Sequence, residues 1–79
     1  MNAYLTRLEA SGATILEQRE TEGVGYVLIK AAYADHVRLI TYDLDEAQHE
    51  DAECVVSVRS WATEAPARAY WEKEARQSV

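Results

Sequence analysis

The stretch VGYVLIKAAY, residues Val24–Tyr33, decides the fold. It is rich in β-branched and aromatic residues, which favour strands. Successive side chains of a strand point to opposite faces, so Tyr26 and Leu28 share one face. Val27 and Ile29 share the other. Both faces are apolar, and this predicts a central strand of a sheet.

Three further segments show strand patterns: Ala13–Arg19, Val37–Tyr42 and Cys54–Trp61. Gly23 is free to take a positive φ, so residues 20–23 are predicted to form the turn between the first two strands. The pair Ala34-Asp35 is predicted to make the next tight connection. In the fourth strand, strict alternation predicts that Cys54, Val56 and Val58 point to one face.

The chain begins with a predicted helix over Asn2–Ala10, because Tyr4 and Leu8 are four residues apart and share a face. Ser11-Gly12 then supplies a helix stop. A helical spacing of apolar residues also continues onwards, so one bent helix that runs to Glu20 is the alternative. We prefer a helix followed by a strand, since Gly12 costs a helix interior about 1 kcal/mol.

The chain ends in a second predicted helix, with Thr63 as its N-cap and an end near Gln77. Apolar residues in this helix recur at helical spacing, and Tyr70 and Trp71 mark its buried stripe. A 79-residue domain without Phe needs such rings for its core. An exposed aromatic contact surface is the alternative for these two side chains.

Together these elements predict a single α+β domain over residues 1–79. It consists of a small antiparallel sheet of three to four strands with an N-terminal and a C-terminal helix packed on one face. Such a sheet would leave its other face open. The side chains predicted to lie partly on that face, where a second copy of the chain would cover them, are Tyr26, Leu28, Ile40 and Tyr42.

Composition excludes several classes of protein. The chain is 48% hydrophobic and 28% charged, which is typical of a globular rather than a disordered protein. No apolar stretch approaches the roughly 18 residues of a transmembrane helix, and no basic region followed by an apolar run marks a signal peptide. The single cysteine, Cys54, has no partner for an internal disulfide, and we predict a cytoplasmic location.

The distribution of charge is the most informative feature for function. Eight Lys and Arg against fourteen Asp and Glu give a net charge of −6. Six acids fall in one segment without Lys or Arg: Asp43, Asp45, Glu46, Glu50, Asp51 and Glu53. The eight acids and eight bases elsewhere cancel, so this acidic segment carries the whole net charge. It is either extended or a short helix capped by Asp43, and its carboxylates either keep a loop solvated or form a contact surface.

These features predict a non-enzymatic module that binds a basic protein surface, such as a nucleic-acid-binding groove, through the six carboxylates. Direct binding to nucleic acid or to a membrane is not expected, because both need clustered Lys and Arg. In general profile (tiny, acidic, α+β and without a cofactor) the chain resembles small phage or mobile-element inhibitors of nucleic-acid machinery, including anti-CRISPR proteins. The resemblance implies an inhibitor or adaptor and transfers no residue. A self-associating homodimer, or a subunit of a larger assembly without catalytic activity, is the alternative.

No catalytic, metal or cofactor site is predicted. Asp43-x-Asp45 begins like a calcium loop, but Ala47, Gln48 and Cys54 stand where an EF-hand needs Asp or Asn, Gly and Glu. His36, His49 and Cys54 are too few for a closed zinc site. Gly23-Val24-Gly25 lacks the further glycine and the lysine of a phosphate loop. Cys54, next to Val55, is predicted to be a small core residue.

Overall fold

The computed structural model describes residues 2–32, 36–49 and 53–75. The elements follow one another as α1 (Ala3–Ala10), β1 (Thr14–Thr21), β2 (Val24–Lys30), β3 (Val37–Asp43), α2 (Leu44–Ala47), β4 (Val55–Trp61) and α3 (Glu64–Tyr70). A π-helical segment, Trp71–Ala75, continues α3. The four strands form one antiparallel sheet in the order β1-β2-β3-β4. The predicted α+β architecture, with a helix at each end of the chain, is therefore confirmed.

The central position predicted for the Val24–Tyr33 stretch is also confirmed. β2 pairs with β1 on one side and with β3 on the other, and Val27 lies opposite Ile40. The strand ends at Lys30, earlier than predicted. The predicted connection Ala34-Asp35 lies outside the described residues.

The alternative of one long N-terminal helix is wrong, because α1 ends before Gly12. This glycine has a φ of +97°, and a Cβ there would lie 2.9 Å from the Cβ of Ala32. The chain then enters β1, where Thr14 pairs with Lys30 of β2. Asn2 caps α1 at its start, since its Oδ1 accepts a hydrogen bond of 2.9 Å from the amide of Leu5.

The two terminal helices lie on opposite faces of the sheet, so the prediction that they pack on one face is wrong. The buried core on the α1 face consists of Leu5, Val27, Ile29, Ile40, Tyr42, Ala47 and Cys54. The buried core on the α3 face consists of Leu28, Val37, Leu39, Ala67 and Trp71. The reason lies in β2 and β3, because both strands carry apolar side chains on both faces and each face needs a cover.

The predicted open face does not exist in the described part of the chain. Leu28, Ile40 and Tyr42 are buried in the two cores, and Tyr26 is half-buried against the α3 core. A second copy of the chain has nothing to cover at these four side chains. The prediction left one face of the sheet uncovered, whereas in the structure α1 and α3 each cover one face.

The strict alternation predicted for the fourth strand is broken by a β-bulge. Ser57 lies opposite Thr41, and the next residue of β3, Tyr42, lies opposite Val55. Val56 is therefore the extra residue of the bulge. Val55 instead of Val56 accompanies Val58 at the α1 face, where both side chains line a groove.

α3 begins after Thr63, which has the extended backbone of an N-cap but makes no side-chain capping hydrogen bond. Ala67 and Trp71 are buried, so Trp71 belongs to the core. Tyr70 is half-buried, with its ring 5.3 Å from that of Trp61. The predicted end of the helix near Gln77 lies outside the described residues.

Candidate protein-binding surface

The acidic segment is helical over Leu44–Ala47, where it forms the single turn α2. The predicted cap is confirmed: Oδ1 of Asp43 accepts hydrogen bonds from the amides of Asp45 at 2.9 Å and Glu46 at 3.3 Å. Asp45 and Glu46 lie in the first turn of α2. The unpaired amides at a helix start carry partial positive charge, so this placement stabilises the carboxylates.

α2 is fastened to the core beneath it. Ala47 is fully buried, and Leu44 packs against the α1-face core. The amide of Leu44 donates a hydrogen bond of 2.9 Å to the carbonyl of Gly23, and the amide of Asp43 donates one of 2.8 Å to the carbonyl of Cys54. The turn is thus held by the neighbouring hairpin on one side and by the start of the β4 segment on the other.

The carboxylates on this frame face the solvent. Asp45, Glu46 and Glu53 are exposed, while the capping residue Asp43 is half-buried. Glu50 and Asp51, the remaining two predicted contact residues, lie outside the described residues. The structure therefore brings four of the six predicted residues to one end of the sheet.

The fold adds two acids that the sequence analysis missed. Glu20 and Glu22 belong to the β1–β2 hairpin, whose turn sits against α2 through the Gly23–Leu44 hydrogen bond. We call the resulting group of six carboxylates the acidic end: Glu20, Glu22, Asp43, Asp45, Glu46 and Glu53. The signal was present in the predicted hairpin, because its turn must lie at the end of the sheet where β3 finishes.

Charge is distributed unevenly along β2, β3 and β4, whereas β1 carries both signs, with Arg19 next to Glu20 near the acidic end. The three basic residues of β2, β3 and β4 are Lys30, Arg38 and Arg59, and all three lie in the half of the sheet opposite the acidic end. Arg68 on α3 forms ion pairs with Glu17 and Glu64. Arg7 of α1 lies near enough to Cys54 to influence the pKa of its thiol.

A small buried network supports the acidic end from below. Nδ2 of Asn2 donates to the hydroxyl of Tyr42 at 3.1 Å and to Oε2 of Glu20 at 3.3 Å. The ring of Tyr42 lies 5.1 Å from that of Tyr4. Burial raises the pKa of both tyrosines above its ordinary value. The network therefore ties Asn2, the N-cap of α1, to the end of β1 and to the strand that leads into α2.

Cys54 is buried in the α1-face core, as the sequence analysis predicted. Burial is the main cause that raises the pKa of its thiol, which keeps the thiol protonated near neutral pH. His36 and His49 are exposed. Among the described residues no group of three or more His, Cys, Asp or Glu side chains is arranged to hold a metal ion.

A second surface feature lies along β4. Three large apolar side chains are exposed there: Val55 at 44%, Val56 at 69% and Val58 at 53%. We call them the β4 edge. Val55 and Val58 also border a groove of about 360 Å³ between β4 and α1, to which Tyr4 and Leu8 contribute. The sequence analysis assigned these valines to a strand but did not identify it as an outer one, since β-propensity does not distinguish an inner strand from an outer one.

None of the helices in the described ranges combines the length and the apolar content that crossing a bilayer requires. Comparisons with protein-family models, with curated proteins and with solved structures found no match to this chain.

Proposed function

We propose that this chain is a non-enzymatic protein-binding module, an inhibitor or adaptor, that docks its acidic end on a basic surface of a nucleic-acid-binding protein. One observation carries the proposal. α2 is anchored by its buried Ala47 and by the Asp43 cap, and it holds Asp45 and Glu46 in solvent beside the turn that bears Glu22.

A rigid frame favours binding, because a flexible segment loses conformational entropy when its contact groups become ordered on a partner. Here the backbone of α2 is fixed by hydrogen bonds to two neighbouring segments before any partner arrives. Preorganised contacts lose less entropy on association. Carboxylates held together at one end also raise the rate at which a basic surface is found, and this effect falls steeply with ionic strength.

The proposed partner surface is one that normally receives phosphates. Clustered Lys and Arg side chains bind a nucleic-acid backbone through the charge and spacing of its phosphates. Grouped carboxylates accept hydrogen bonds from the same donors. The proposal includes a cytoplasmic location, which the free, buried thiol of Cys54 suits, because reduced cysteines persist there. Nucleic acid itself and membranes are not proposed as partners.

The test uses the whole chain as bait in a lysate of the source cells, with elution by a salt gradient. The wild type is compared with the double variant Asp45→Asn/Glu46→Gln. The matched control is Glu9→Gln/Glu74→Gln, which removes the same charge at exposed positions away from the acidic end. We expect the control to retain the captured protein and the α2 variant to lose most of it at physiological salt.

A second arm separates a phosphate-binding groove from other basic surfaces. Duplex DNA added as competitor should displace the chain from its captured partner in proportion to the partner's affinity for DNA. The proposal is wrong if the partner elutes independently of salt, or if both double variants capture it equally well. Circular dichroism of each variant confirms that the fold is retained.

A further inference from the structure

We infer that the β4 edge is an interface at which the chain pairs with a second copy of itself, strand β4 against strand β4 in antiparallel orientation. The result is a two-fold symmetric dimer with one continuous sheet of eight strands, four from each copy. This interface is separate from the acidic end and from the sheet face considered in the sequence analysis.

The comparison of the two outer strands identifies which edge pairs. β1 carries three charged side chains, Glu17, Arg19 and Glu20, and such charges are a common protection of an exposed sheet edge. β4 has one charged residue, Arg59, whose guanidinium lies 4.7 Å from the ring centre of Tyr70. In the described part of the chain β4 pairs with β3 alone. An outer strand with exposed valines and an unpaired row of backbone groups is a template for another strand.

The uneven distribution of charge along β4 and its neighbours favours a second copy as the partner, and it favours the antiparallel orientation. Each β4 runs from the acidic end, where Glu53 precedes it, towards the half that holds Arg59 and Arg38. In an antiparallel pair the acidic end of each copy lies beside the basic half of the other. A parallel pair would place the two acidic ends side by side, where like charges repel. The β4 edge is therefore complementary in charge to the β4 edge of a second copy when the two strands run antiparallel.

The apolar contacts follow from the bulge. Because Val56 is the extra residue, Val55 and Val58 of the outer strand β4 both line the groove between β4 and α1. An added strand brings the valines of the partner copy to the same place on its α1 face. Val55 and Val58, which are 44% and 53% exposed in the monomer, become buried in both copies of the dimer.

The test measures molecular mass by sedimentation over about 5 to 500 µM, because a self-association shifts with concentration. We expect the mass to rise from 8.9 kDa towards twice that value. Val58→Lys should raise the dissociation constant about tenfold or more, since each dimer loses two apolar contacts and gains two charges. Gln18→Lys, the same change in charge at an exposed position on β1, is the matched control and should leave the constant unchanged.

Amide hydrogen exchange of the wild type gives a readout that needs no variant. Amides of β4 should become more protected as the concentration rises, while those of β1 should not. The inference is overturned by a mass of 8.9 kDa at every concentration, by a dimer that both lysine variants weaken equally, or by new protection in β1. Asp45→Asn/Glu46→Gln keeps the β4 valines and Glu53, and it should still form the dimer, so failure of the docking proposal and failure of this one are read separately.

Discussion

A single methyl group added at Gly25 tests how the acidic end is supported. Gly25 lies opposite Tyr42 in the sheet. A Cβ at Gly25 would overlap Cζ and Cε2 of the Tyr42 ring and lie 2.6 Å from its hydroxyl oxygen. The ring has no room to move, because it is fully buried between the strand and Tyr4 and its hydroxyl is bonded to Asn2.

The expected loss of stability for Gly25→Ala combines three terms. Overpacking costs about 1–3 kcal/mol, and loss of the Asn2–Tyr42 hydrogen bond costs about 1 kcal/mol. Alanine regains about 0.5–1 kcal/mol because it restricts the unfolded chain. The net loss is about 1–3.5 kcal/mol. Since 1 kcal/mol lowers the midpoint of thermal unfolding by about 4–8 °C in a domain of this size, the midpoint should fall by about 4–28 °C.

The assay is chemical and thermal unfolding followed by circular dichroism, carried out as a double-mutant cycle with Tyr42→Leu. Leucine lacks the atoms that the new methyl group would meet, so the two changes together should destabilise by less than the sum of their separate effects. Gly23→Ala is the comparison: its φ of +82° makes alanine strained, but no atom lies within 4 Å, so it should not couple to position 42. Additive effects in the Gly25 cycle, or a loss below about 0.5 kcal/mol, would refute the reasoning.

Three further predictions concern the same region. Asn2→Ala should cost about 2–3 kcal/mol in urea unfolding, because it removes the cap of α1 and leaves the buried Tyr42 hydroxyl without its donor; a loss below about 0.5 kcal/mol would contradict this. Cys54 should react with iodoacetamide at neutral pH about a hundredfold more slowly in the native protein than in urea, since burial raises the pKa of its thiol; equal rates would show that the thiol is accessible. Raised pKa values mean that the native state holds the Cys54, Tyr4 and Tyr42 protons more tightly than the unfolded state, so the free energy of unfolding should fall as pH rises above about 9. Urea titrations between pH 7 and 11 measure this, and a constant free energy across that range would contradict it.

The type and order of the elements could be predicted from the sequence because local patterns specify them. Two apolar faces in Val24–Lys30 indicate a central strand, and the glycine after Ser11 ends α1. The cap at Asp43 was likewise readable, since an Asp followed by acids suits a helix start. What these features share is that neighbouring residues alone decide them.

The arrangement of the elements depended on features that are distant in sequence. The position of α3 opposite α1 follows from the apolar faces of β2 and β3 taken together, and the sequence analysis assigned only one face a cover. The bulge at Val56 came from the pairing with β3 and placed Val55 on the same face as Val58, against the expected alternation. The same dependence explains why Glu22 was missed, because it joins the acidic end through the register of the hairpin.

The two proposed surfaces constrain each other through the geometry of the sheet. Antiparallel pairing at the β4 edge separates the two acidic ends, one at each end of the joined sheet, and leaves both of them facing solvent. Their mutual repulsion is then small, because the length of seven-residue β4 exceeds the screening distance of about 8 Å in physiological salt. Each acidic end instead lies next to the basic half of the other copy. The positive charges of that half weaken the negative potential at the acidic end but do not cover the α2 carboxylates. Dimerisation and docking are therefore compatible, and a dimer offers two docking ends that point in opposite directions and engage two separate basic surfaces.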